Sequence, residues 1–186
     1  IQLSGVKKRF SLIPCGVDTN VFKSMDKAMC RQKFGFESYE KLILFAGAFD
    51  NKVKNPELAM EAVAKIPDAR LLELKGYNRT QVAELMNAVD VCLMTSHTEG
   101  SPQFVKEAMA CNCPVVSVNV GDVEELMKNI VGCYISASNA DDLSKSLNFV
   151  FHNVNRINGR EIIEMNNLQQ NLIVEKLNEL YHKLIK

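Results

Sequence analysis

The sequence has no tryptophan, only 7% aromatic residues, five prolines and no excess of either charge, with Lys+Arg 22 against Asp+Glu 22. A neutral chain lacks the electrostatic footprint of a nucleic-acid or anionic-membrane surface. No run approaches the ~20 apolar residues needed to span a bilayer, and no basic-then-apolar leader opens the chain. Neither G-x-G-x-x-G after a strand nor G-x-x-x-x-G-K-[ST] occurs, which argues against a dehydrogenase and a P-loop NTPase. No internal repeat or low-complexity tract is visible. What is present, 47% hydrophobic and 24% charged residues over 186 positions, excludes general disorder. A chain of this length can bury roughly 70% of its unfolded surface around one core, so the expectation is one soluble, compact domain spanning 1–186.

Six cysteines occur, but Cys92 and Cys133 sit in apolar runs, where the side chain acts as a small hydrophobe. Cys111 and Cys113 form the only close pair, and a lone C-x-C cannot supply the four ligands of a structural zinc site. Six reduced thiols, a cytoplasmic location and no metal are therefore expected. Asn78-Arg79-Thr80 matches a glycosylation sequon, yet Asn78 with Gln81 three residues on reads better as a helix-capping pair. The chain opens on Ile1, and its first residues read like the middle of a protein, which points to a fragment or a processed chain.

Short apolar runs alternate with segments of helical period. Strands are predicted at Phe10 to Pro14, Leu42 to Gly47, Arg70 to Lys75, Asp90 to Thr95, Pro114 to Val118 and Cys133 to Ser136. Their nearly continuous apolarity suits parallel strands covered on both faces. Helices are predicted near Asp26 to Phe34, Pro56 to Ile66, Arg79 to Val89, Pro102 to Cys111, Asp122 to Asn129 and Asp141 to Phe151, with Pro56 and Pro102 suited to a first helical position. The alternation gives a doubly wound parallel α/β sheet over about 10–152. Beyond it, in a helical extension over about 153–186, Gly159 and Asn166-Asn167 break polar stretches. Ile173, Leu177, Leu180 and Leu184 then form one stripe of an amphipathic helix expected to dock on a surface.

In open parallel sheets ligands bind beyond the carboxyl ends of the strands. The predicted strand ends carry Cys15-Gly16-Val17-Asp18, Gly47 with Asp50 to Asn55, Gly76-Tyr77, Ser96 through Glu107, and Asn119, Gly121 and Asp122. Loops everywhere favour Gly, Asn and Asp, but all these ends together collect most glycines and several unpaired charges at one edge. Pro102 starts a helix whose free N–H groups at Gln103 and Phe104 make an anion site. Glu99 and Glu107 flank it. A carboxylate near a helix start often only complements the dipole; two around an anion site suit a ligand with hydroxyls on both sides of a phosphate, the layout of a nucleotide sugar.

Glu99 to Glu107 resembles the Glu-x7-Glu motif of family 4 (group 1) retaining glycosyltransferases of the GT-B fold. Ile13-Pro14-Cys15-Gly16-Val17-Asp18 is similar to their IPNGVD, Gly47 through Asn55 to their G-R-x5-K-N loop, and Asn87-Ala88-Val89-Asp90-Val91 to their A-A-D-V. Glu107-Ala108-Met109-Ala110-Cys111 resembles EAMACG, Pro114-Val115-Val116 resembles PVV, and Val120 through Glu124 resembles GG-x-x-E. The ordered set runs from about Ile13 to Leu184. The resemblance implies the Rossmann-like, donor-binding half of a GT-B fold, with the acceptor-binding amino-terminal domain absent from this chain and the last helix crossing back onto it.

By that resemblance Glu99 contacts hydroxyls of the donor hexose, and the turn Gly100-Ser101-Pro102-Gln103-Phe104, through its free backbone N–H groups, holds the diphosphate with Gly16. Glu107 accepts from the ribose diol, Lys54 neutralises the leaving β-phosphate, and Lys75-Gly76-Tyr77 borders the base. The implied partners are a nucleoside-diphosphate sugar and a glycan or lipid-linked acceptor, with no cofactor, a role in bacterial surface polysaccharide and a place at the inner face of the membrane. Two departures stand out. Ala48 occupies the place of the family's phosphate-binding Arg, leaving Lys52 as either its replacement or a solvated loop lysine, and the chain is short between Arg70 and Asp90. His97 reads as a polar loop residue. The rival readings are a non-catalytic sugar-nucleotide-binding module and a GT-B sugar-nucleotide 2-epimerase, whose His-rich signatures are not found here.

Overall fold

A computed structural model describes residues 11–185. Five parallel strands stand in the order β2-β1-β3-β4-β5: β1 Lys41–Phe45, β2 Ala69–Leu72, β3 Val91–Met94, β4 Val115–Val118 and β5 Cys133–Ser136. The helices are α1 Lys27–Phe34, α2 Pro56–Val63, α3 Arg79–Ala88, α4 Gln103–Ala110, α5 Val123–Met127, α6 Ala140–Asn153, α7 Gly159–Met165 and α8 Gln170–Ile185. This is the doubly wound α/β architecture the alternation predicts.

The three central strands are buried on both faces because each alternates two apolar sets. Leu42, Leu44, Cys92, Met94 and Val115 join α3 and α4 on one side. Ile43, Phe45, Val91, Leu93, Val116 and Val118 join α2 and α6 on the other. Edge strands β2 and β5 are only half covered, which explains how Arg70 and Ile135 are accommodated there. Local chemistry sets the helix starts. Asp26 caps α1, Pro56 opens α2, and Asn78 and Gln81 form a reciprocal capping box on α3.

Three expectations need correction. Phe10 lies outside the described residues, and Ser11 to Pro14 form no strand: Pro14 has no N–H to donate and Leu12 is 88% exposed. The segment instead pairs at one residue, Val17, in a parallel bridge to Gln169. Pro102 is the N-cap of α4 rather than its first helical residue. Gly159 begins α7 instead of breaking the chain, because a Cβ there would lie 2.8 Å from the backbone of Met109 in α4. Ile157, Ile163 and Leu168 are consequently buried in the main core, whereas α8 lies on the surface with Ile173 buried and Leu177 and Leu180 half-buried. The Leu184 side chain lies outside the described residues.

Candidate functional site

The strand order reverses direction between β1 and β3, and that switch point opens a crevice at the carboxyl edge. The loop after β1 and the end of β3 are stitched together there. Thr95 Oγ1 donates to the carbonyls of Lys54 (2.9 Å) and Asn55 (2.8 Å), and the His97 N–H donates to Val53 (3.0 Å). Lys54 leaves a 3₁₀ turn, Lys52–Lys54, capped by the Asn51 side chain. Its stem runs across Gly47, where a Cβ would stand 2.8 Å from Lys54 Cγ, and its ammonium reaches Glu99 Oε1 at 2.6 Å. The two side chains are only 25% and 16% exposed.

Beside this pair lies the start of α4. No side chain caps its first turn, so its N–H groups remain open. The preceding loop is pinned to the loop after β4: the Asp122 N–H donates to Gly100 at 3.1 Å, and Gly121, at φ 58°, has no room for a Cβ against the Gly100 carbonyl (2.3 Å). Among the described residues, four of the six buried side-chain oxygens without a hydrogen-bond partner belong to Ser96, Ser101, Gln103 and Asp122, which ring this helix start; Glu84 and Gln169 hold the others. Buried polar atoms are normally bonded, so this concentration marks unspent binding capacity. A cavity of about 790 Å³ shares Asp122 with the ring and extends toward β5.

Further along α4, Glu107 is 17% exposed, and its nearest cation is the Arg79 guanidinium, 4.0 Å away. Burial raises its pKa to about 7, although Arg79 and Lys106 oppose the shift. Arg79 itself leaves the first turn of α3 and lies 5.4 Å above the Phe22 ring. Gln103 Nε2 donates to the Gly16 carbonyl (2.8 Å) and Lys106 Nζ to the Cys15 carbonyl (3.0 Å), drawing the first described segment onto α4.

Of the residues singled out from sequence, the fold thus brings Lys54 to Glu99, and gathers Gly16, Gly100, Ser101, Pro102, Gln103, Phe104 and Glu107 around the α4 start. Lys52 is exposed and forms no ion pair with another described residue. Lys75 pairs with Asp50 at 2.6 Å, Gly76 takes φ 81°, and Tyr77 packs edge-on against Phe34. No hydrogen bond or ion pair among the described residues joins that turn to α4. His97 is exposed. Sequence reasoning missed Arg79, Ser96, Asp122 as a site group, and Lys106. Ser96, Lys106 and Asp122 lie within the strand-end segments picked out from sequence, but nothing in their spacing assigns them a role.

Among the described residues, no cluster of three or more His, Cys, Asp or Glu is arranged for a metal ion, and no helix is long and apolar enough to cross a membrane. Comparison with known proteins places the chain in a family. D-inositol 3-phosphate glycosyltransferase of Mycobacterium marinum is 25% identical over 170 residues, covering 75% of this chain and 36% of that protein. The chain therefore spans about a third of the length of the curated relatives it matches. Sucrose-phosphate synthase from Thermosynechococcus elongatus superposes with a TM-score of 0.84 at 21% identity, over 94% of this chain and 52% of that one. Anabaena Alr3699/HepE, solved in complex with UDP and glucose, superposes with a TM-score of 0.76 at 18% identity, over 92% and 56%. These likenesses give the GT-B half-fold that the motifs imply. The sequence model of one family, Glycosyl transferases group 1, matches residues 69–170, from β2 through both flanking carboxylates to the start of α8. With over half of its length matched, the chain belongs to the group 1 glycosyl transferases.

Proposed function

We propose that this chain is the donor-binding domain of a retaining hexosyltransferase that uses a nucleoside-diphosphate sugar. The observation that carries the reading is the ring of unpartnered polar atoms around an uncapped helix start, flanked by Glu99 and Glu107. The open N–H groups of α4 take the diphosphate. Glu107 accepts both hydrogen bonds of the ribose diol, and Lys75-Gly76-Tyr77 borders the base. UDP is the first nucleotide to test, because it is bound by Alr3699/HepE.

Lys54 and Glu99 act by exchange. In the structure the ammonium neutralises Glu99. An arriving β-phosphate competes for Lys54, and the released carboxylate turns to accept hydroxyls of the hexose. As the glycosidic bond to the β-phosphate breaks, Lys54 neutralises the charge that develops on the departing oxygen. Retention follows a front-face path in which the donor phosphate assists the incoming hydroxyl. The glycan or lipid-linked acceptor is held by a second domain, no cofactor takes part, and the setting is surface-polysaccharide synthesis at the cytoplasmic face of a bacterial membrane.

The test is a thermal-unfolding panel of UDP, GDP, ADP and CMP sugars with this chain. One nucleotide, at a hundred times its dissociation constant, is expected to stabilise the fold by roughly 2.7 kcal/mol. No shift with any of them defeats the reading. The chain alone is expected to bind without transferring sugar, because positioning of both substrates is worth roughly 7–11 kcal/mol and one domain cannot supply it. Transfer in proportion to its concentration would make it a complete small enzyme.

A further inference from the structure

Lys106 is the only fully buried lysine among the described residues, at 0% exposure. It lies on α4 one turn after Gln103, and helical side chains lean toward the amino end, so its stem runs back beneath the uncapped first turn. An ammonium has three N–H donors, and among the described residues this one has a single acceptor, the Cys15 carbonyl. Burying a cation against one neutral acceptor is costly, and an alkyl side chain of the same length would pack there at lower cost. The titratable groups facing it are Asp122 from the loop before α5, Cys15 from the opening segment and Glu107 from α4, with Arg79 of α3 facing Glu107 in turn. Of the other cations nearby, Lys54 is neutralised by Glu99, Arg79 faces Glu107, and Lys52 is exposed.

We infer that Lys106 is a positioning residue of the donor site: its buried charge sets a positive potential beneath the α4 start and holds Cys15 against that helix, favouring a diphosphate over an uncharged ligand. The inference rests on the donor-site reading given above. It explains why the Cys15 carbonyl is drawn to α4 beside the Gly16 carbonyl, which Gln103 holds. It also accounts for a lysine kept in an environment that lowers its pKa by desolvation. The same burial predicts where the effect ends. As pH rises through that lowered value the charge is lost, and with it the preference for the diphosphate.

The experiment is calorimetric titration of UDP and uridine into the native chain and into Lys106→Met, at neutral pH and at about pH 9.5, where an ordinary lysine stays protonated. Lys106→Met is expected to weaken UDP about tenfold and uridine less than about twofold at neutral pH. In the native chain the ratio of UDP to uridine affinity is expected to fall at the higher pH; in Lys106→Met it stays flat. Equal weakening of both ligands makes Lys106 merely structural and overturns the inference. Should Lys106→Met not fold, the native pH profile decides alone, and an unchanged ratio overturns it. A native chain that binds none of UDP, GDP or ADP instead defeats the donor-site reading itself.

Discussion

The two edges of the sheet treat buried polar groups in opposite ways. At the amino edge Arg31, 5% exposed, donates to the carbonyls of Ala88, Glu37, Ser38 and Glu40 and to both carboxylate oxygens of Asp90. Asp90 also accepts from Lys27 and the Leu42 N–H, and fully buried Asn87 is bonded to Met25, Lys23 and Ala83. At the carboxyl edge Lys106 has one acceptor, Glu107 has a cation no closer than 4.0 Å, and Ser96, Ser101, Gln103 and Asp122 each leave a buried oxygen unpartnered. A buried polar group destabilises unless it is bonded. The amino edge is therefore completed by the chain itself and serves as scaffold, while the carboxyl edge holds donors and acceptors in reserve for something else.

The contrast is broken most forcefully at Arg31. Arg31→Met removes one of the two cations on Asp90 and takes a donor from four backbone carbonyls and both carboxylate oxygens, and is expected to cost about 3–5 kcal/mol in urea unfolding. The folded fraction should bind UDP as the native chain does. A loss under about 1 kcal/mol would erase the distinction between the edges.

Glu107→Gln should act with the opposite sign. Its folded pKa, about 7, lies above the ordinary 4.5, so the folded state holds the proton more tightly than the unfolded state. Burying Glu107 thus costs nothing below about pH 4.5, and the full penalty is present above about pH 7. The substitution is expected to stabilise by up to about 3 kcal/mol at pH 8 and not at all at pH 4, read from urea midpoints across pH. Uridine affinity should fall in the same variant, and a gain in stability that is flat with pH would contradict the assignment of strain to this carboxyl.

The smallest effect concerns the Lys54–Glu99 pair. Lys54→Ala should weaken UDP by about 1 kcal/mol and leave uridine unchanged, whereas Glu99→Ala should strengthen UDP slightly by freeing the ammonium. Calorimetry showing that Glu99→Ala weakens UDP would end the exchange scheme.

Much of this was readable in the residues, for reasons that differ by place. Leu42 to Phe45, Val91 to Met94 and Val115 to Val118 announce central strands because both faces must be apolar. Asn78 with Gln81 announces a helix start because the capping partners are three residues apart. Glu99, Pro102 and Glu107 are similarly local, their meaning set by spacing to one helix end. Ser11 to Pro14 carries the same apolar signature and forms no strand; the described chain first pairs at Val17, with Gln169, far along the sequence. Lys106 was illegible for a related reason: its acceptor is a backbone carbonyl 91 positions away, which no side-chain pattern records.

The one-residue bridge between Val17 and Gln169 has a consequence in time as well as space. Its two hydrogen bonds, Val17 N–H to Leu168 and Gln170 N–H to Val17, close nearly the whole described chain into a loop. Contacts so distant in sequence carry the largest closure entropy and are made late. During synthesis this bridge cannot close until Leu168 has emerged. Because the same segment supplies the Cys15 and Gly16 carbonyls that engage α4, the carboxyl edge takes its finished form only after the last helices arrive. Half-made chains can hold a sheet, but not the floor of its crevice.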